Sequence, residues 1–265
     1  MGLHAVAQAP AINIVEVRQV SMAFGAGLSR HVVFEDISFD VELGEFLCIV
    51  GSSGCGKTTL LRQIAGLQKP TSGSVVFNGE PITRPTQDKA IVFQDYSKAL
   101  LPWRTVEGNV ALSLEVAGAS ASLIKSEVDE LLSKTGLQAA AKKYPAQLSG
   151  GMQQRVQIAR SLAQRPKIIL MDEPFGALDA ITRQALQDEL QMLARERSMT
   201  VVFITHDLEE ALYLGDSVIV LASNPGRIVK QIDVNLERPR RQLETRENST
   251  FLRLRHELHG LIGRH

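Results

Sequence analysis

The sequence predicts an α/β protein in which a mixed sheet is interrupted by an inserted block of helices. In the first half of the chain, short apolar runs alternate with turn residues, as expected of strands. From about 95 to 163 the pattern is mainly helical. Two continuous apolar runs, 168–171 and 201–204, then stand on either side of a helical stretch, which is typical of a parallel sheet covered on both faces.

The first elements should be short strands, because β-branched and aromatic residues favour a pleated surface. They are predicted at 14–17, 37–41, 46–50, 74–77 and 90–93. Gly44 marks the turn between the second and the third strand. Helical spacing follows from Leu60 to Leu67, and Lys69-Pro70 is expected to end that helix.

The later helices are predicted from apolar residues that recur on one face. In the inserted block, that face comprises Val128, Leu131, Leu132 and Leu137, with Gly136 near the helix end. A helix from about 181 to 197 should link the two apolar strands. A closing helix is predicted from the spacing of Phe251, Leu254, Leu258 and Leu261.

The composition excludes several classes of protein. The 265 residues carry 29 Lys+Arg and 29 Asp+Glu, so the neutral chain has no long-range attraction for nucleic acid, and no nucleic-acid partner is expected. No run of 18 residues lacks a charge, so no membrane-spanning helix is predicted. Two cysteines fit a reducing cytosol better than a disulfide framework. Residues 1–12 are interpreted as a flexible tail.

The C-terminal part of the chain is basic. Residues 223–265 hold nine Lys+Arg and five Asp+Glu, a net charge of +4 that balances −4 in the preceding residues. We interpret the closing helix as a packed helix with a solvated basic side. Contact of that side with a partner or with membrane headgroups stays open as the alternative.

A glycine-rich loop between a predicted strand and a predicted helix fits the G-x-x-x-x-G-K-[ST] pattern. It consists of Gly51, Ser52, Ser53, Gly54, Cys55, Gly56, Lys57 and Thr58. Its glycines let backbone N–H groups turn around phosphate oxygens, and Lys57 adds a charge toward the β- and γ-phosphates. The Thr58 hydroxyl is a natural Mg²⁺ ligand, so the loop predicts a nucleoside triphosphate bound with Mg²⁺. Cys55 is interpreted as a small packing residue, with a reactive thiol as the alternative.

Two acids end the first of the late apolar runs. Because successive side chains of a strand point to opposite faces, Asp172 and Glu173 should have different roles. Asp172 is placed to hold Mg²⁺, directly or through water, and Glu173 is free to polarise the attacking water. The second run is followed by His206, which we expect to contact the γ-phosphate and to hold the water and Glu173 in place. A purely structural histidine is the alternative.

The segment Leu148-Ser149-Gly150-Gly151-Met152-Gln153-Gln154-Arg155 opens a further predicted helix, with Ser149 as its N-cap. This sequence follows Lys57 by 92 residues and precedes Asp172 by 23, counted from Ser149. At this point the chain resembles the ATPase subunit of an ATP-binding cassette (ABC) transporter. The resemblance covers about 14–240 and implies the ABC ATPase form of the P-loop NTPase fold. That fold has a mixed RecA-like sheet core, an antiparallel β-subdomain and an inserted α-helical subdomain.

The resemblance implies roles for further residues. Phe24 resembles the aromatic residue that stacks on adenine, and Thr59 would extend the phosphate loop. Gln94 resembles the Q-loop glutamine, a ligand of the metal together with Thr58 and Asp172. Asp179 ends a D-loop at 177–179 and would contact nucleotide. The implied catalytic residues are Glu173, His206, Lys57 and Gln94.

In that family the signature helix of one subunit completes the nucleotide site of the other. Ser149, Gly150 and Gly151 would therefore bind the ATP held by a second copy, in a twofold head-to-tail dimer around two Mg-ATP. The implied divisions are a tail at 1–12, an ABC ATPase domain at 13–240 and a C-terminal helical extension at 241–265. Within the domain, the core comprises 13–94 and 164–222, and the helical subdomain about 95–163.

A single cassette without a long coiled-coil or zinc insertion favours a transport ATPase over ABC proteins of translation or DNA repair. A soluble accessory ATPase stays as the alternative. The segment 99–110 resembles importers of the nitrate, sulfonate and taurine group, and so do 224–229 and 238–240. This implies two transmembrane permease subunits, an indirect solute-binding protein and a position on the cytoplasmic face of the bacterial inner membrane. Trp103 is expected to be exposed and to grip a permease helix, with a core aromatic as the alternative.

Overall fold

The structure is a computed structural model that describes residues 12–25, 27–95 and 99–262. The predicted tail at 1–12 lies outside the described residues except for Ile12, which is exposed. The strands are β1 (Asn13–Phe24), β2 (His31–Glu42), β3 (Phe46–Gly51), β4 (Ser72–Phe77), β5 (Glu80–Pro81), β6 (Lys89–Val92), β7 (Ile168–Asp172), β8 (Thr200–Ile204), β9 (Ser217–Ala222) and β10 (Arg227–Asp233). The helices are α1 (Lys57–Ile64), α2 (Val106–Val116), α3 (Ala121–Lys134), α4 (Gly150–Ala163), α5 (Ala180–Glu196), α6 (Leu208–Leu214), α7 (Gln242–Glu247) and α8 (Ser249–Ile262).

The amino-terminal strands form a four-stranded antiparallel sheet with the order β2-β1-β4-β5. The strands predicted at 14–17, 37–41 and 74–77 are the inner parts of the longer β1, β2 and β4. Val15 and Val17 of β1 are fully buried, while Glu16 and Arg18, which alternate with them, are more exposed. This alternation is typical of a sheet with one face toward the core.

A second, six-stranded sheet forms the centre of the molecule, with the order β10-β9-β3-β8-β7-β6. All neighbours from β9 to β6 are parallel, and β10 pairs antiparallel with β9 at the edge. Its inner strands are buried throughout because apolar side chains cover both faces, as the continuous apolar runs predict. No prediction from the sequence covers β9 or β10.

Helix α1 ends earlier than the sequence predicts. The expected end was Lys69-Pro70, whereas the helix stops at Ile64. Gly66 has a φ of +79°, a left-handed conformation in which a Cβ would lie 2.6 Å from the backbone of Arg84. This turn breaks the helix before Leu67, whose side chain is exposed and does not continue the buried face.

The inserted block contains α2, α3 and α4. The predicted apolar face of α3 is correct, since Val128, Leu131 and Leu132 are all buried. Thr105 caps α2 by accepting a hydrogen bond from the amide of Gly108 at 3.2 Å. The buried faces of these helices join the core that covers one side of the parallel sheet.

The chain ends in α7 and α8, which pack beside α6 and β9. Phe251, Leu254 and Leu258 of α8 are buried in the main core, as predicted for the closing helix. Among the described residues, no helix has the length and apolar character needed to cross a bilayer.

Candidate nucleotide site

The glycine-rich loop lies between β3 and α1, so the N-terminus of the helix points at it. Gly56 caps α1 with a φ of 98°, and a Cβ at this position would lie 2.6 Å from the ring of Phe34. Glycine is required there because both the backbone conformation and the close approach exclude a side chain. The loop exposes Ser52, Ser53 and Gly54, and Thr58 and Thr59 are half-buried on α1.

The interior of the loop offers hydrogen-bond donors to an anion. Lys57 is buried, and its Nζ donates to the carbonyl oxygens of Gly51 at 2.8 Å and Ser52 at 3.0 Å. Within the described parts of the chain, the backbone amides of Gly54, Gly56 and Lys57 have no hydrogen-bond acceptor. Unsatisfied amides at a helix start, together with a lysine, fit the phosphates of a nucleotide.

Beside the loop, Thr58 and Asp172 bring two oxygen ligands together. Asp172 ends β7 and is buried, and the Thr58 hydroxyl forms a hydrogen bond with its carboxyl group. Burial raises the pKa of Asp172, and the Glu173 charge adds to the effect, whereas Thr58 and Lys57 oppose it. A hydroxyl and a carboxylate at the edge of a phosphate loop are the oxygen ligands that Mg²⁺ prefers.

The structure brings Glu173 together with two of the predicted catalytic residues. Gln94 donates from Nε2 to Glu173 Oε2 at 3.2 Å, and His206 Nδ1 lies 3.2 Å from Glu173 Oε1. This contact arises because β7 and β8 are parallel neighbours, so the residues that follow them meet at one edge of the sheet. Glu173 has a φ of 47°, which places it outside the regular strand geometry of Asp172.

The predicted signature segment lies at the start of α4. The Ser149 side chain caps this helix by accepting from the amide of Met152 at 3.3 Å. A Cβ at Gly151 would lie 3.0 Å from Leu178, so the helix start packs against the predicted D-loop at 177–179. Gly150 is the first residue of the helix. Within the described chain, no hydrogen bond joins residues 149–151 to the glycine-rich loop.

Asp179 ends that D-loop and caps α5. Its carboxylate accepts from the amide of Thr182 at 3.0 Å, and this hydrogen bond lowers the pKa of Asp179. The side chain is therefore ionised at neutral pH and stands exposed at the helix N-terminus. Because Gly151 packs against Leu178, the charge of Asp179 lies near the start of α4.

Two further predicted residues, Phe24 and Cys55, lie outside the cluster of Gln94, Glu173 and His206. Phe24 is the last residue of β1, paired with His31 of β2, and 47% of its surface is exposed, so its ring is accessible to a base. Cys55 is 1% exposed, and its Sγ is 3.9 Å from Lys57 Nζ. The burial of Cys55 favours the packing role over the reactive thiol.

Two contacts of the site are not anticipated by the sequence. The amide group of Gln157, on α4, lies against the backbone of Phe93, with distances of 2.6 and 3.1 Å in the orientation that satisfies both groups. It therefore ties the signature helix to the residue before Gln94. The hydroxyls of Ser52 and Ser223 lie 3.1 Å apart, which joins the loop to the β9–β10 turn. Neither pair leaves a local sequence signal, because the partners are far apart in the chain.

Comparison with known proteins points to one family. A family model described as ABC transporter matches residues 34–176, more than half of the chain. The nitrate import ATP-binding protein NrtD of Synechococcus elongatus is 43% identical over 241 residues, which cover 90% of this chain and 87% of that protein. The aliphatic sulfonates import ATP-binding protein SsuB of Bacillus licheniformis is 45% identical, over 85% of this chain and 87% of that protein.

Some relatives are much longer than this chain. The nitrate import ATP-binding protein NrtC of Synechococcus elongatus is 45% identical over 93% of this chain, which spans only 37% of that protein. Among solved structures, a dimeric ATP-binding cassette in a post-hydrolysis state with ADP and Pi matches with a TM-score of 0.75 and 32% identity. The match covers 83% of this chain and 98% of that structure.

Proposed function

The chain belongs to the ABC transporter family, and from that premise we propose that it is the ATP-hydrolysing subunit of an importer. The observation that carries the proposal is the cluster of Gln94, Glu173 and His206 beside the Thr58–Asp172 pair. This cluster lies beside a loop in which the amides of Gly54, Gly56 and Lys57 have no acceptor within the described chain. The proposed reaction is hydrolysis of the terminal phosphate of ATP.

The proposed chemistry divides the work among these side chains. Mg-ATP, when bound, supplies the phosphoryl group and a cation that neutralises its charge. Thr58 and Asp172 would hold the cation, with Gln94 as a third ligand, and Lys57 would hold the phosphates. Glu173 would orient the attacking water and accept its proton. His206 would keep the Glu173 carboxylate in place through the 3.2 Å contact.

We further propose that two copies assemble head-to-tail around two nucleotides. The cap at Ser149 and the glycines that follow it have no hydrogen bond to the loop of their own chain, within the residues described. They present helix amides that could meet the phosphates held by a second copy. The similar cassette with ADP and Pi is described as dimeric, which supports this arrangement.

The proposed membrane partners are two permease subunits, served by a solute-binding protein. A groove of about 420 Å³ lies between α2, α4 and the edge strand β6, lined in part by Ile91, Leu112, Val116 and Arg160. Trp103, just before α2, is 71% exposed, which favours the docking role over a core aromatic. A helix of a permease, on the cytoplasmic face of the membrane, would lie along α2, with Trp103 at the N-terminal end of α2 and this groove at its C-terminal end.

The proposed solute is a small molecule that carries a nitrate, bicarbonate or sulfonate group. The relatives are named for import of nitrate and aliphatic sulfonates and for transport of bicarbonate, and the resemblance of segment 99–110 adds taurine to this group. Bicarbonate, nitrate and sulfonate share small size and negative charge. The comparisons give no support to the alternative of a soluble accessory ATPase.

The substitution Glu173→Gln tests the hydrolytic proposal. Glutamine keeps the shape and accepts from Gln94, but it cannot take a proton, so hydrolysis should fall by about 10²-fold or more while ATP binding persists. We expect a dimer with ATP by size exclusion and almost no phosphate release. Glu80→Gln, in the exposed strand β5, is the matched control and should match the parent. A monomeric Glu173→Gln variant that hydrolyses ATP at the parent rate would contradict the proposal.

The substitution Trp103→Ala tests the docking proposal. Loss of an exposed side chain outside the nucleotide cluster should spare basal ATP hydrolysis, yet uncouple it from uptake in reconstituted vesicles. Tyr144→Ala removes another exposed aromatic of the helical block and should affect neither measurement. Equal loss of hydrolysis and uptake in Trp103→Ala, or normal uptake, would count against the docking role.

A further inference from the structure

His206 is connected to the rest of the fold through the short helix that follows it. Asp207 caps α6 by accepting from the amides of Glu209 at 2.9 Å and Glu210 at 3.1 Å. The Asp207 amide in turn donates to the Thr205 hydroxyl at 3.0 Å. Because these bonds enclose His206 on both sides, the position of α6, together with that of β8 before it, determines where the imidazole lies relative to Glu173.

Glu209 of α6 forms ion pairs with one arginine from each of the two C-terminal helices. Arg246 of α7 and Arg255 of α8 each donate from Nη1 to a different Glu209 oxygen, both at 2.8 Å. The hydrogen bond from Arg255 is the largest cause that keeps the pKa of Glu209 below its usual value, and together with the contacts of Arg246 it outweighs the opposing effect of burial. The Arg246 guanidinium also lies 5.2 Å from the centre of the Tyr213 ring, on the same helix as Glu209.

The next residue of α6, Glu210, connects α6 to helix α5 by a buried hydrogen bond. Glu210 is buried and accepts from Gln187 Nε2 at 2.9 Å. Gln187 belongs to α5, the helix that Asp179 caps. Gln242 of α7 donates to Asp188 of α5 at 2.7 Å and lies 3.3 Å from Gln187 Oε1. The C-terminal helices therefore contact both α6, which begins just after His206, and α5, which begins just after the predicted D-loop.

We propose that Arg246 and Arg255 are positioning residues for hydrolysis, which hold His206 against Glu173 by fixing α6 through Glu209. The C-terminal extension then sets the rate of the chemical step, in addition to its packing through Phe251 in the core. This inference rests on the function proposed above, since it needs His206 to act in hydrolysis. It gives the basic side of the C-terminal helices a role within the chain itself.

The test compares the double variant Arg246→Ala/Arg255→Ala with Arg253→Ala. Arg253 is an exposed arginine of α8 with no ion pair in the described chain, so its replacement removes one surface charge of the C-terminal helices without loosening α6. In the double variant we expect kcat to fall about fivefold to twentyfold, because a displaced positioning group weakens every turnover. The KM for ATP should stay within about twofold, since neither arginine touches the phosphate loop.

Conservative replacement separates charge from packing. Each guanidinium uses one nitrogen on Glu209, so Arg246→Lys/Arg255→Lys should regain at least about half of kcat. If the alanine variant fails to fold, Glu209→Gln removes the same ion pairs from the α6 side and should give the same fall in kcat. An unchanged kcat in either variant, or a lysine pair no better than alanine, would overturn the inference.

A double-mutant cycle with His206→Ala distinguishes failure of this inference from failure of the proposed function. If the arginines act through His206, removing them in the His206→Ala background should lower single-turnover hydrolysis by less than about twofold further. A full additional fall there would mean that the arginines are merely structural. If His206→Ala alone hydrolyses ATP at the parent rate, the role proposed for His206 fails, whatever the arginines do.

Discussion

Asn109 is the side chain that shapes the segment carrying Trp103, and its removal gives a sharp test of that segment. The residue is fully buried near the start of α2. Its Oδ1 accepts from the amide of Leu101 at 2.8 Å, and its Nδ2 lies 3.0 to 3.1 Å from the carbonyl oxygens of Leu101, Arg104 and Thr105. Asn109→Ala therefore cuts the links between α2 and the turn that precedes it.

The magnitude follows from these contacts. Nδ2 has two hydrogens for three acceptors, so the side chain makes about three full hydrogen bonds, each worth roughly 1 kcal/mol. Two of the acceptors keep other partners, because the Leu101 carbonyl accepts from Arg104 N and the Thr105 carbonyl from Asn109 N. The Leu101 amide and the Arg104 carbonyl lose their side-chain partner. We expect the free energy of unfolding to fall by about 3 kcal/mol.

The chain provides its own reporter for this prediction, since Trp103 is its only tryptophan. Urea denaturation followed by circular dichroism measures the stability, and the fluorescence anisotropy of Trp103 measures the local order. Asn109→Ala should lower both. Ser113→Ala is the control, because the buried Ser113 hydroxyl has no partner in the described chain and its loss should cost less than about 0.5 kcal/mol. A loss below about 1 kcal/mol with unchanged anisotropy would refute the reasoning.

Three further predictions concern the core, the loop and the charges. Phe251→Ala should lower the unfolding free energy by about 3–5 kcal/mol, and Leu252→Ala, on the exposed side of α8, should have a much smaller effect in the same urea titration. Gly56→Ala should abolish binding of a fluorescent ATP analogue, whereas Gly79→Ala, equally strained but without a clash, should not. Burial opposes ionisation of Glu127, but its arginine partners outweigh this and lower its pKa. The stabilisation by ionised Glu127 is therefore complete above its usual pKa of about 4.5, so the stability difference from Glu127→Gln should stay constant from neutral pH down to that value and should shrink only as the pH falls further, through the lowered pKa.

The parts of the site that the sequence predicts are those with a local signal. The glycine-rich loop and Asp172 stand at strand ends, where a run of apolar residues meets a short set of polar ones. The adjacency of β7 and β8 follows from their continuous apolar character, and this brings His206 to Glu173. Two parallel strands that are joined by a helix are usually neighbours in the sheet. The residues that follow them can therefore be predicted to lie side by side, although they are far apart in the sequence.

The parts that the sequence does not predict depend on tertiary contacts. The early end of α1 is set by Gly66, whose left-handed turn lies against the backbone of Arg84. This contact joins two separate segments, so it leaves no helical or strand periodicity in the sequence. Strand β9 contains a continuous apolar run like those of β7 and β8, but its place between β3 and β10 is decided by pairing across the sheet. The ion pairs of Glu209 join residues 37 and 46 positions apart. A pattern within a window of the sequence cannot contain such partners.

Helix α4 shows why tertiary contacts matter for the site as much as the motifs do. Its Gln154 side chain accepts from the amide of Ala177 at 3.3 Å, and its Gln157 amide pairs with the backbone of Phe93. Both glutamines are almost completely buried, so each hydrogen bond is shielded from water and costly to break. Since α4 begins at Ser149, one rigid helix links the signature segment to the D-loop and to the strand that precedes Gln94. The relative positions of these three motifs in the fold therefore depend on a single packed helix that contacts all of them.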